Sequence, residues 1–233
     1  MVNQGVQPPV VLLLALTLLL HFGGCATRPA ASGYATVIPG SGEVALPPRL
    51  TGEMALEQAI ANRRSVREFT DEALSQSEIS QLFWAAQGIT DQRGLRAAPS
   101  AGALYPLELY VALPDGTYHY LPRSHAIQLV SERDLREDLW EAGLKQDALR
   151  QAPAIFVVAA VYERTEAKYG DRAQRYVQME AGHAAQNLLL QAVVLDLGAV
   201  PIGAFYDDQV QASLGLPADH RVLYLIPVGH PLR

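Results

Sequence analysis

Arg63-Arg64-Ser65-Val66-Arg67 gathers three guanidiniums and a hydroxyl within five residues, a donor set able to surround a phosphate dianion with several charge-assisted bonds. The same run follows a helical pattern, so it also reads as solvated arginines at a helix C-terminus, where the helix dipole favours positive charge. A second candidate is the small-residue run from Ala97 to Pro106, AAPSAGALYP, placed just before a strand. Residues of this size let a flat ligand approach the backbone, and Ser100 with its neighbouring amides would bond a heteroaromatic edge; a tight loop that merely packs would look the same. Val200-Pro201-Ile202-Gly203-Ala204-Phe205 has this character again. Glu180, His183 and Asn187 share a face of a long helix and suggest a catalytic acid or a metal pair. One His and one Glu make a poor metal site, and a polar seam across a dimer interface is the simpler reading. Tyr105 is a candidate proton donor, although no catalytic residue is assigned.

These candidates need elements to hold them. Met54, Leu56, Ala59 and Ile60 recur at helical spacing up to about Asn62, just ahead of the arginines. Ser77 is placed to cap a second helix with Ile79, Leu82, Phe83 and Ala86 on one face, closed by Gly88. Leu107, Leu109, Val111 and Leu113 alternate as a half-buried strand, Pro114-Asp115-Gly116 turns the chain, and strands near 118–121 and 126–130 complete a meander. A helical stretch is expected from about Asp134 to Arg150, then a central strand in the apolar run Ala154 to Val161. The longest helix runs from about Arg172 to Leu197, with Gly198 placed to end it. An extended piece at 200–205, a short helix from Asp207 to Leu214 and a strand from Arg221 to Val228 follow. Helices and strands mix without a strict βαβ rhythm, which favours an α+β fold.

The beginning of the chain has a different character. Val10 to Leu20 is an eleven-residue apolar run leading into Gly23-Gly24-Cys25. As a helix it would be about 16 Å long against roughly 30 Å of hydrocarbon, so it reads as a secretory signal segment and not a transmembrane span. Cys25, the only cysteine, directly after two glycines resembles the cleavage box of bacterial lipoproteins, in which the thiol becomes the lipidated N-terminus. The expected organisation is a signal peptide over 1–24, a Pro/Gly-rich spacer over 25–52 without helical or strand periodicity, and a catalytic domain over 53–233. The domain would then stand in the cell envelope, outside the cytoplasm, tethered to a membrane. A net charge of −6 and a pI near 5.5 give no broad basic face for nucleic acid.

Five blocks in order, RRSVREF at Arg63, PSAGALYPLELYV at Pro99, EAGHAAQNLLLQA at Glu180, VPIGAF at Val200 and IPVGHP at Ile226, resemble the nitroreductase family of FMN enzymes. The PSAGALYP version is similar to its azoline-dehydrogenase branch, the SagB-type proteins, and the resemblance spans residues 53–233. It implies a mostly antiparallel sheet flanked by helices, in a homodimer with its sites at the interface. Arg63, Arg64, Ser65 and Arg67 would hold the FMN phosphate and ribityl chain. Pro99, Ser100 and Gly102 would line the flavin from the partner side, and Pro201, Ile202 and Gly203 would lie against the ring with a backbone amide near N5. Many members carry Asn where this chain has Ala103 and an acidic residue where it has Gly203. They also continue into a basic segment after the last strand, so phosphate binding here would rest on the Arg63 cluster, helped by Arg233. The expected activity is hydride transfer between a small organic substrate and flavin N5. The alternative is a lipid-anchored module that keeps the fold to bind a small molecule or a partner without flavin catalysis.

Overall fold

Ala154–Val161 forms β6, eight residues that are all buried because the two faces of the strand meet two different cores. Ala154, Phe156, Val158 and Ala160 point to one side and Ile155, Val157 and Ala159 to the other, the period of two inherent in a strand. The computed structural model describes residues 36–38, 42–47 and 51–232 together with Met1; Cys25, Arg233 and the apolar run 10–20 lie outside the described residues.

Around β6 the sheet is built from β1 (Thr36–Ile38), β2 (Glu43–Ala45), β3 (Leu107–Leu113), β4 (Gly116–Leu121), β5 (Ala126–Ser131), β7 (Gly198–Ala199) and β8 (His220–Gly229). Their spatial order is β1-β2-β5-β4-β3-β6-β8-β7, and every neighbouring pair is antiparallel. One face carries α2 (Gln76–Gln87) and the 22-residue α6 (Ala173–Val194), with Leu82, Phe83, Val177, Ala184 and Leu188 meeting the sheet. Phe83 stacks on Tyr120 at 4.7 Å and meets Phe156 edge-on at 5.0 Å. The other face is covered by α3 (Arg136–Ala142), α4 (Asp147–Gln151) and α7 (Asp207–Leu214) through Leu139, Leu149, Val210 and Leu214. This is the α+β architecture expected from the sequence.

Several boundaries differ, each for a physical reason. The second helix is capped by Ser75, not Ser77: Ser75 with Glu78 forms a reciprocal capping box, and Ser77 has a serine where the box needs an acid. The stretch 134–150 is two helices, broken at Gly143 and at Leu144 and Lys145, whose φ values are +59° and +55°. Gly198 does not end the long helix. Asp196 takes the left-handed position (φ +57°), and Gly198 begins β7 where a Cβ would stand 2.6 Å from Val66 Cγ1. A further short helix, α5 (Glu163–Tyr169), precedes α6.

The segment 25–52, expected as a spacer, contributes β1 and β2, and β2 pairs with β5 in the register Glu43↔Gln128, Val44↔Ile127, Ala45↔Ala126. Leu46 is buried behind it, and the Pro47 carbonyl accepts from Ser80 Oγ (2.6 Å) and His125 Nε2 (3.1 Å). A three-residue strand is too short for alternation to show among prolines and glycines. In α1 (Leu56–Asn62) only Ala59 is buried, while Leu56 and Ile60, which share its helical spacing, are 60% and 56% exposed.

Candidate functional site

The arginine run leaves α1 in extended conformation and pairs with β7: Ser65 bridges Ala199 in parallel, and the Val66 amide donates to the Ala199 carbonyl at 3.1 Å. Successive side chains of an extended chain point to opposite sides, which divides the cluster. Arg64 and Val66 face a cavity of about 310 Å³ with Asn62, Leu197 and Pro231, and Arg64 also donates to the Ala61 and Arg63 carbonyls at the end of α1 (2.9 and 2.7 Å). Arg67 lines a different cavity, of about 510 Å³, whose wall is Val200, Pro201, Ile202, Gly203 and Ala204. Arg63 and Ser65 share the alternation of Arg67. Two of the three candidate segments therefore meet in one cavity, with Arg64 turned toward the other.

That cavity falls within the ~300–1,000 Å³ of small-molecule and cofactor sites. The Ile202 amide and carbonyl are tied to Leu225 at 2.8 and 3.0 Å, which holds the segment flat against β8. Among the described residues the amides of Gly203 and Ala204 carry no intrachain hydrogen bond and remain exposed toward the opening. The rim is completed by Gln146 and Asp147 at the start of α4 and by Glu68; Gln146 Nε2 donates to the Ala204 carbonyl at 2.9 Å. The cavity is thus cationic at the Arg67 end and mixed in charge at the rim. Sequence reading missed Gln146, which lies inside a stretch that looked like one continuous helix.

The third segment is built elsewhere in the chain and is held under strain. Gly102, Ala103 and Tyr105 have φ of +63°, +54° and +49°, the left-handed region, which costs a non-glycine residue roughly 1–2 kcal/mol. Several bonds over-determine this shape. Ser100 Oγ accepts from the Tyr105 amide (2.9 Å), the buried Glu180 carboxylate from the Ala101 amide (2.7 Å), and the Ala97 carbonyl from Asn187 Nδ2 (3.4 Å). Tyr105 Oη accepts from the Arg96 amide at 3.1 Å, and the Arg96 guanidinium lies 4.5 Å over its ring. Glu180 and Asn187, expected to face outward with His183 as a polar seam, instead turn inward to this loop, and His183 alone of the three is exposed.

An ideal Cβ at Gly102 would lie 2.9 Å from Lys168 Nζ and 3.0 Å from Tyr169 Oη, so an ammonium and a phenol stand directly on the small-residue loop. Neither was singled out from sequence; the available signal was that Lys168 is one of only two lysines. Glu180, which holds this loop, and Leu189, which lines the Arg64 cavity, are nine residues apart on α6, about 14 Å along its axis. Pro99, Ser100 and Gly102 do not line the Arg67 cavity of their own chain.

An antiparallel α+β sheet with a basic segment running beside a Pro- and Gly-containing wall is a framework able to hold an anionic small molecule. The chain belongs to the nitroreductase family, which it matches over residues 60–230, and with it to a group of flavin-using oxidoreductases. It is 44% identical over 186 residues to a Methanocaldococcus jannaschii protein named as a nitroreductase, covering 77% of this chain and 93% of that one. A Ralstonia eutropha structure, also named as a nitroreductase, superposes with a TM-score of 0.74 at 28% identity, covering 85% of this chain and 94% of that one. The microcin B17-processing protein of Escherichia coli is 29% identical over 133 residues, 52% of this chain and 48% of that protein.

Proposed function

We propose that this chain is an FMN-dependent oxidoreductase that moves a hydride between a small organic substrate and flavin N5, working as a homodimer with its sites at the subunit interface. The observation that carries the reading is the pairing of the Arg63–Arg67 segment with Ala199, which places the Arg67 guanidinium and a flat backbone wall in the same cavity. The donor set fits the cofactor. Arg63, Ser65 and Arg67 provide charged and hydroxyl donors for a phosphate, while Pro201, Ile202 and Gly203 offer a low wall that a planar ring can lie on. When bound, FMN supplies the hydride acceptor, which no side chain can.

The chain's own groups then have defined tasks. The unengaged Gly203 and Ala204 amides would be available as donors to the ring edge, where preorganised N–H groups favour developing negative charge. Gln146 spends its amide donors on the Gly143 and Ala204 carbonyls, so its task is to brace this segment. Pro99, Ser100 and Gly102 come from the partner subunit and close the other side. Lys168 and Tyr169, which stand on that loop, would be the groups able to give or take a substrate proton there. The likeness to the microcin B17-processing protein supports the azoline-dehydrogenase branch, in which the substrate itself donates the hydride. A domain held outside the cytoplasm through lipidated Cys25 has little access to nicotinamide cofactors, which agrees with that choice; a quinone or oxygen would take the electrons. Moving Cys25→Ser protein from the membrane to the soluble fraction supports the anchor, and unchanged membrane association refutes it.

The deciding measurement is the visible spectrum of residues 26–233 after incubation with FMN and removal of free ligand. Retained flavin, reduced at least tenfold in affinity by Arg63→Ala with Arg67→Ala, is the expected outcome, since each charged hydrogen bond contributes about 1.5–3 kcal/mol. A folded wild-type protein without flavin would favour the binding-module alternative.

A further inference from the structure

A charged cluster lies at the start of β3, on the sheet face opposite α6. The Glu108 side chain shares the face of Tyr110, whereas Leu107 and Leu109 enter the α6 core. Its carboxylate, 14% exposed, takes His119 Nε2 at 2.7 Å on one oxygen and an Arg164 guanidinium nitrogen at 2.6 Å on the other. The second terminal nitrogen of Arg164 donates to the Tyr105 carbonyl at 3.2 Å. His119 stacks on Tyr110, whose hydroxyl meets His220 Nδ1 at 2.8 Å, so the cluster is braced from β4 and β8 as well. Burial alone would push the Glu108 carboxyl up. The bonds from His119 and Arg164, with the charge of Arg164, outweigh burial and hold it below the ordinary carboxylate range.

We propose that Glu108 and Arg164 are positioning residues: a clamp that fixes the Ser100–Tyr105 loop in its left-handed shape and registers α5, with Lys168 and Tyr169, against it. Two L-residues of this loop, Ala103 and Tyr105, sit at positive φ and would relax without external restraint. Ser100 and Glu180 secure amides at 105 and 101. Arg164 secures the Tyr105 carbonyl, and it does so from the helix that carries Lys168 and Tyr169. A largely buried carboxylate makes this tie rigid, because moving Arg164 away would leave Glu108 without its permanent cation and with only the His119 contact. The fork of the guanidinium is essential to the design: two acceptors on different elements are held by one planar group, which the point charge of a lysine cannot reproduce. The consequence for catalysis rests on the flavoenzyme reading; the clamp itself does not.

The test is hydrogen exchange by mass spectrometry on residues 26–233 without added ligand, for wild type, Arg164→Lys, Arg164→Gln and Glu108→Gln. Arg164→Lys keeps a cation for Glu108, so its melting temperature is expected to stay near wild type while amides of 101–105 exchange about tenfold faster and those of β6 do not change. Arg164→Gln and Glu108→Gln should show the same local acceleration, with no further acceleration in the double variant. With FMN added, visible circular dichroism of bound flavin should change in all of them and not be rescued by lysine. Loop protection unchanged in Arg164→Lys, or exchange accelerated equally in the loop and β6 across all variants, would overturn the clamp. Wild type that fails to bind FMN while the exchange pattern holds would remove the flavoenzyme reading alone.

Discussion

Single residues at this site are chosen by how close their neighbours come. Gly198 is the sharpest case. Its backbone follows Leu197 into the bridge that joins Ser65 to Ala199, and a methyl there would meet Val66 Cγ1 at 2.6 Å and Val66 Cβ at 2.7 Å. Val66 is held by the same pairing, so it has no flexible end to withdraw. Gly198→Ala is therefore expected to destabilise the domain by about 1–3 kcal/mol and to lower FMN affinity by displacing the arginine segment. Urea denaturation with flavin titration checks it, and a wild-type result in both would show that the two segments move independently. Sequence alone placed Gly198 at a helix end, because a glycine after a long apolar helix matches a C-cap. The close approach that requires it comes from Val66, 132 positions earlier, a long-range contact that local pattern does not encode. The basic cluster of Arg63, Arg64, Ser65 and Arg67 was legible from composition, whereas the division of Arg64 from Arg67 between two cavities follows from an extended backbone that begins at the helix end.

Among the elements, strongly periodic ones were readable and those fixed by tertiary partners were not. The run 154–161 had to be a central strand, since eight apolar residues rich in β-branched types leave no solvated face. The strands at 36–38 and 43–45 are specified instead by the edge of β5 and by His125. That histidine carries a testable consequence. Its Nδ1 meets Tyr120 Oη at 2.9 Å and its Nε2 meets Ser80 Oγ at 2.9 Å and the Pro47 carbonyl at 3.1 Å, a set completed by a neutral ring that accepts the tyrosine proton. Burial lowers its pKa from the ordinary value near 6.5, against an opposing effect of the Pro47 carbonyl. The unfolded chain therefore takes up the proton first, and stability at this site is complete above pH 6.5 and declines as pH falls from there through the folded-state value. His125→Gln is expected to shrink the difference in unfolding free energy between pH 7.5 and pH 5. A larger difference in the variant would mean that the ring is charged in the fold.

For the whole molecule, the decisive feature is what one chain leaves uncovered. Leu56 and Ile60 on α1 are more than half exposed, and Met179, His183, Gln186 and Leu190 line an outward stripe of α6 at i, i+4, i+7, i+11 spacing. Between the two helices, Met54, Leu56, Ala59, Trp84, Leu190 and Val194 line an open apolar depression of about 440 Å³. The helical period of α1 was thus correctly legible, but its apolar face is not turned to its own core. In the proposed dimer a second copy would cover these residues, and its Ser100–Gly102 loop would serve the Arg67 cavity, which the loop of the same chain does not line. Ile60→Glu isolates this dependence, because the side chain is exposed and its replacement leaves no hole in the core. On the proposed dimeric site, in which one subunit would supply the phosphate donors and the other the opposing wall, the variant is expected to sediment as a monomer where wild type sediments as a dimer, to melt cooperatively, and to lose FMN at micromolar concentration. If the monomeric variant holds flavin as tightly as wild type, the cavity beside Arg67 is sufficient by itself, and the partner subunit's role is confined to stability.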